Sequence, residues 1–133
     1  MTRADVDRWL QAYVDAWKSY DRDRIGALFC DDVEYRYHPY DEPIRGRDDV
    51  VDSWLGVGDH ASASTPDAPG TYDAEYRTIA VDADTAVALG TTSYRAEPRG
   101  PVERVYENCF VIRFDSTGRC RKFTEWYMQR PGG

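Results

Sequence analysis

The chain has 133 residues, 41% hydrophobic and 14% aromatic, a size at which one domain buries roughly two thirds of its unfolded surface around a single core. Its 17 Lys and Arg against 24 Asp and Glu give a formal charge of -7, which repels phosphate backbones and anionic lipid and so excludes nucleic acid and membrane as expected partners. Arg3, Asp5, Asp7 and Arg8 interrupt any apolar leader, and no run approaches the ~18 apolar residues of a membrane span, so a soluble cytoplasmic protein is expected.

Thr2 with Asp5 three residues on forms a capping-box pattern, and Val6, Leu10, Tyr13, Val14 and Trp17 recur at helical spacing to about Tyr20. Asp21 suits the cap of a shorter helix with Ile25, Leu28 and Phe29 as its apolar stripe, closed by Asp31 and Asp32. From Val33 the chain alternates, with Val33, Tyr35 and Tyr37 on one face and Glu34 and Arg36 on the other, until Pro39 ends the strand. The turn-rich HPYDEPIRG leads to a third helix near Arg47 to Leu55, whose Val50, Val51, Trp54 and Leu55 give one apolar face.

Gly56 to Gly70, rich in Gly, Ser, Ala, Pro and Asp, reads as a loop, either a lid or a flexible linker. Four β segments follow, near Tyr72 to Asp82, Thr85 to Ala96, Val102 to Asp115 and Cys120 to Met128, joined by turns short enough for antiparallel hairpins. Helices first and strands after give an α+β architecture: one domain spanning 1–133, with three helices across one face of a strongly curved, mainly antiparallel sheet. Cys30, Cys109 and Cys120 are odd in number and lack paired metal spacing, so neither disulfide nor metal is expected and the thiols pack as small hydrophobes.

The first helix, the DRDRIGALFCDDVEYRY run, the G-x-x-x-[VI] helix start at Gly46 to Val50 and the final meander ending in FTEWY resemble the SnoaL-like branch of the nuclear transport factor 2 superfamily. The resemblance spans nearly the whole chain and implies a cone-shaped sheet wrapped around the first helix, a deep pocket and a homodimer formed through the sheet. Polyketide cyclases, ketosteroid isomerases, scytalone dehydratases and limonene epoxide hydrolases share that scaffold, as do proteins that only bind or assemble. No cofactor is implied.

Aligned with ketosteroid isomerase, Tyr13 falls on the tyrosine that donates to the oxyanion, but Tyr37 replaces the general-base aspartate and Phe110 the second acid, so that mechanism lacks its base. The Asp-Arg-Asp set of limonene epoxide hydrolase has no counterpart, and the paired histidines of scytalone dehydratase are matched only by His38 and by His60 in the loop. The same alignment turns Tyr35, Tyr37, Asn108, Phe110, Ile112, Phe123, Glu125 and Tyr127 toward a pocket. Trp17 and Trp54 belong either to its wall or to the core, and Asn108 either lines it or satisfies local backbone.

Glu125 is then an acid among rings, where desolvation raises a carboxyl pKa into the range of general acid or base work. Glu125, His38 and Tyr13 are the candidate catalytic residues; Trp17, Tyr35, Tyr37, Trp54, Asn108, Phe110 and Tyr127 are the candidate substrate-binding ones. Register decides the alternative for Glu125, which is to face outward and pair with Arg113 or Arg121. The expected ligand is a hydrophobic, oxygenated small molecule. Isomerisation, dehydration or cyclisation by acid-base catalysis is one reading of the function; a non-catalytic binding or dimeric assembly module is the other.

Overall fold

In the computed structural model, which describes residues 1–132, the N-terminal helix α1 spans Arg3–Ser19. Thr2 and Asp5 close a reciprocal capping box at its start, and Tyr20, in the left-handed region at φ 46°, ends it. The helical period turns Val6, Trp9, Leu10, Tyr13, Val14 and Ala16 inward. The helix lies along one edge of the sheet, where Arg3 donates to the Thr78 carbonyl, Asp7 accepts from the Thr78 hydroxyl and Lys18 pairs with Asp73.

Helix α2 is Arg22–Gly26, capped by Asp21 as its side chain implies, but it ends before Leu28 and Phe29. The cause is a long-range pairing. The Leu28 carbonyl accepts from the Cys120 amide at 2.8 Å, and Phe29 begins strand β1 (Phe29–Arg36) beside Cys120, so a stripe that reads as helix is recruited into the sheet. Helix α3 occupies Arg47–Trp54, and a single 3-10 turn lies at Ala61–Ala63 within the Gly56 to Gly70 segment.

A short strand, β2 (Ile44–Arg45), follows β1 and is absent from the sequence reading because two residues carry no period. The remaining strands are β3 (Tyr72–Asp82), β4 (Thr85–Arg95), β5 (Val102–Phe114) and β6 (Cys120–Gln129). The six form one open sheet in the order β2-β1-β6-β5-β4-β3, antiparallel throughout except where β1 runs parallel to β6. This α+β arrangement is the expected cone.

Irregularities in register between Thr78 and Ala80, Tyr94 and Arg95, and Arg113 and Phe114 bend the strands. Gly90 permits a further close approach, since a Cβ there would stand 1.9 Å from the Glu75 carbonyl oxygen and 2.5 Å from the Tyr76 ring. With Ala86 and Ala88 it makes the inner face of β4 shallow, which lets neighbouring rings lie over that strand. The core beneath is ring-built: Phe29, Tyr35, Phe110, Phe114 and Phe123 are all under 2% exposed.

Candidate active site

The rings fill the narrow end of the cone and stop short of the wide end. A cavity of about 480 Å³ remains between α1, α3, the Ala63 to Asp67 segment and the inner face of the sheet, within the range of roughly 300–1,000 Å³ typical of small-molecule sites. Tyr13 and Tyr35 both stack on Phe123, at 5.6 Å and 4.6 Å between ring centres. Their hydroxyls lie 3.3 Å apart. One bond uses one of the two hydroxyl hydrogens, so the pair retains a second.

Glu125 reaches the cavity because β6 alternates around it, with Phe123 and Tyr127 on the same face, and because its register sets it opposite Phe110. Arg113, the outward partner considered for it, is instead engaged by Asp84 at 3.2 Å. Glu125 is half-buried by accessible area and opens onto the cavity, while protein crowds its carboxylate on the other sides. That desolvation pushes its pKa up to about 7, against a smaller opposing effect from the Asn108 hydrogen bond.

Asn108 belongs to a hydrogen-bonded row across four strands. Its Nδ2 donates to Glu125 Oε2 at 2.7 Å, its Oδ1 accepts from Thr92 at 2.9 Å, and the Thr92 hydroxyl lies 2.7 Å from that of Tyr76. A threonine that has spent its only hydrogen on Asn108 accepts from Tyr76, so every donor in the row points toward the carboxylate. The row extends the set expected from sequence by Tyr76 and Thr92. Both sit at inner-face positions of β3 and β4 that strand parity could have marked.

Tyr37 lines the cavity beside Ser53, 3.0 Å away, and burial raises its hydroxyl pKa to about 12. Trp17, Trp54, His38 and Tyr127 also border the cavity; Trp54 is 5% exposed and serves the core as well, and its indole N–H is buried without a partner. Phe123, fully buried, packs against Tyr13 and Tyr35 instead of lining the cavity, Ile112 is likewise fully buried, and Phe110 is a further exception among the residues expected in the wall. It is 1% exposed and lies behind the lining, packed against Tyr76 and Phe123 at 4.6 Å and 4.8 Å, because the larger Tyr76 ring crosses Gly90 in front of it.

Residues of the Gly56 to Gly70 segment supply one wall. Asp67 fastens that wall to α1: its amide donates to the Tyr20 hydroxyl at 2.8 Å, and its carboxylate accepts from the Trp17 indole at 3.3 Å. Burial raises the Asp67 pKa against those bonds. Turn and loop residues such as Asp67 and Asp41 carry no periodic signal, which is why the sequence does not mark them. His60 is not part of the cavity wall. Among the described residues no three His, Cys, Asp or Glu side chains cluster as metal ligands do.

Residues 10–123 match the family model described as a SnoaL-like domain. A solved structure described as an M. tuberculosis LEH-like epoxide hydrolase superposes with a TM-score of 0.63 at 19% identity, covering 95% of this chain and 84% of that one. A putative ketosteroid isomerase from Kribbella flavida DSM 17836 superposes with a TM-score of 0.65 at 16% identity, covering 98% and 85%. At these identities the likeness is one of fold. No curated protein matches the chain in sequence.

Proposed function

The chain belongs to the SnoaL-like family, and from that premise we propose that it is a cofactor-free acid-base enzyme acting on a hydrophobic, oxygenated small molecule. The observation that carries this reading is Glu125: a carboxylate held by Asn108 through one oxygen, facing a ring-lined cavity, with a pKa of about 7. Such a group is divided between acid and base forms at neutral pH and can move a proton in either direction. Tyr13 and Tyr35 retain one hydroxyl hydrogen that can face oxygen charge developing on a substrate. Isomerisation, dehydration and cyclisation all consist of such steps.

Nitrobenzisoxazole tests this without knowledge of the natural substrate, because a carboxylate in an apolar pocket removes its ring C–H proton as the N–O bond opens to a coloured phenolate. The wild-type chain should accelerate that opening, and Glu125→Gln should lose roughly 100-fold or more of the rate while keeping its fold. Equal rates in the two proteins reject Glu125 as the proton carrier.

We also propose a homodimer through the outer face of the sheet, where Leu89, Cys109 and Trp126 stand side by side in register, with Met128 75% exposed nearby. A non-catalytic assembly role would use the same face, but it gives no reason for a carboxylate inside the cavity. Cys30, Cys109 and Cys120 are all unpaired, which favours the reducing cytoplasm. Among the described residues no helix is long and apolar enough to cross a membrane.

A further inference from the structure

His38, just beyond β1, and Tyr127 of β6 meet at the border of the cavity. His38 Nδ1 lies 2.8 Å from Asp41 Oδ2 and Nε2 lies 2.7 Å from the Tyr127 hydroxyl. An ionised carboxylate only accepts, so Nδ1 carries the hydrogen; in the neutral imidazole Nε2 is then a lone pair, and Tyr127 donates to it. Stacking of Tyr40 on the imidazole, 5.2 Å between ring centres and 12° from parallel, and the Tyr106 ring set edgewise to Tyr127 hold the two groups in place.

Tyr127 therefore spends its one hydroxyl hydrogen on protein and offers lone pairs to a ligand. Its neighbours commit their hydroxyl hydrogens in the same way. Ser53 donates to the Val50 carbonyl at 2.7 Å, so Tyr37 must donate to Ser53; Tyr76 is committed to Thr92. Glu125 keeps one oxygen without a protein hydrogen bond among the described residues. The region bounded by Tyr37, Glu125 and Tyr127 is walled by rings and supplied with acceptors.

We propose that this region selects aromatic or enolic ligands by a free hydroxyl group, with Tyr127 as the accepting residue and Asp41 and His38 as the pair that positions it. The proposal rests on the reading of the cavity as a small-molecule site. A hydroxyl acidic enough to ionise gives its proton to the Tyr127 oxygen while the Tyr127 proton passes to His38 Nε2. The products are a ligand oxyanion, an unchanged tyrosine and an imidazolium facing the Asp41 carboxylate, so protons and charge balance. An ether or ketone oxygen in the same place sets lone pair against lone pair.

The test compares β-naphthol with its methyl ether by calorimetric titration, at a pH where nitrogen NMR shows the imidazole neutral. β-Naphthol should bind roughly five-fold more tightly, the value of one hydrogen bond of about 1 kcal/mol, and Tyr127→Phe should abolish that preference. Asp41→Asn should also reduce it. In a His60→Asn background, where His38 is the only imidazole, the nitrogen spectrum should show hydrogen on Nδ1 and lose that signature in Asp41→Asn. Equal affinity for the two ligands, binding of neither, a preference that survives Tyr127→Phe, or hydrogen on Nε2 would each overturn the proposal. Binding needs no turnover, so a failure of Glu125 in the benzisoxazole reaction leaves this result independent.

Discussion

Asn108 holds Glu125 by one oxygen, Nδ2 to Oε2 at 2.7 Å, and is itself aligned by Thr92 and Tyr76. A carboxylate anchored in this way keeps its orientation while its second oxygen stays available. Two opposed effects meet on it: enclosure among Tyr13, Tyr35 and Phe110 favours the neutral acid, and the aligned amide favours the anion. Enclosure is the larger, which leaves the pKa at about 7 rather than in the ordinary carboxylate range.

Stability should reflect that imbalance. A carboxyl whose folded pKa is raised is ionised less readily in the native state than in the unfolded one, so the native state is penalised as pH rises from about 4.5 through 7. Below that window the carboxyl is neutral in both states and the penalty is absent. Glu125→Gln should thus be nearly neutral at pH 4 and stabilising by up to roughly 3 kcal/mol above pH 7, from ~1.4 kcal/mol per pKa unit. Urea denaturation of both proteins across this range measures the difference.

Removing the donor should shift the balance further. Asn108→Leu leaves the carboxylate without its hydrogen bond and should move the Glu125 titration upward, while Thr92→Val, which keeps that bond but removes the partner that aligns Asn108 and accepts from Tyr76, should move it in the same direction by less. The benzisoxazole rate followed against pH reads both.

Gly90 should tolerate no side chain. A methyl group there meets the Glu75 carbonyl oxygen at 1.9 Å, and relief requires β3 and β4 to part. Gly90→Ala should destabilise the fold by more than about 2 kcal/mol in chemical denaturation, with Tyr76 displaced from Thr92.

The wall formed by the Gly56 to Gly70 segment should depend on Asp67. Asp67→Ala removes one of the two acceptors of the Trp17 indole, the Tyr20 hydroxyl being the other, at most about 1 kcal/mol, and should speed protease cleavage within the segment with little change in global unfolding.

Association through the sheet should fail when charge enters its outer face. Trp126→Glu, at an exposed position away from the cavity, should give monomers by light scattering where the parent chain gives dimers, and should leave the thermal midpoint of the isolated subunit largely intact.

Much of this arrangement is legible in the sequence because the relevant signals are local. The turns at Asp82 to Thr85 and Asp115 to Cys120 punctuate the strands, and the alternation Phe123, Glu125, Tyr127 orients the acid toward the cavity. The parallel pairing of β1 with β6 joins residues ~90 positions apart and leaves no such mark, which is why Phe29 reads as helix and lies in a strand. Phe110 reads as cavity wall on parity alone; its place behind Tyr76 follows from the missing Cβ of Gly90 on the adjacent strand. Asp41 and Asp67 act from turns, where only the folded chain shows what they touch.

Acid-base chemistry in this cavity requires a carboxyl poised near neutrality. Carboxyl-carbon NMR of selectively labelled glutamate, with Glu125→Gln to assign the resonance, measures it directly. A midpoint close to pH 7 is the predicted result; a midpoint near 4.5, the value of a solvated glutamate, would contradict it.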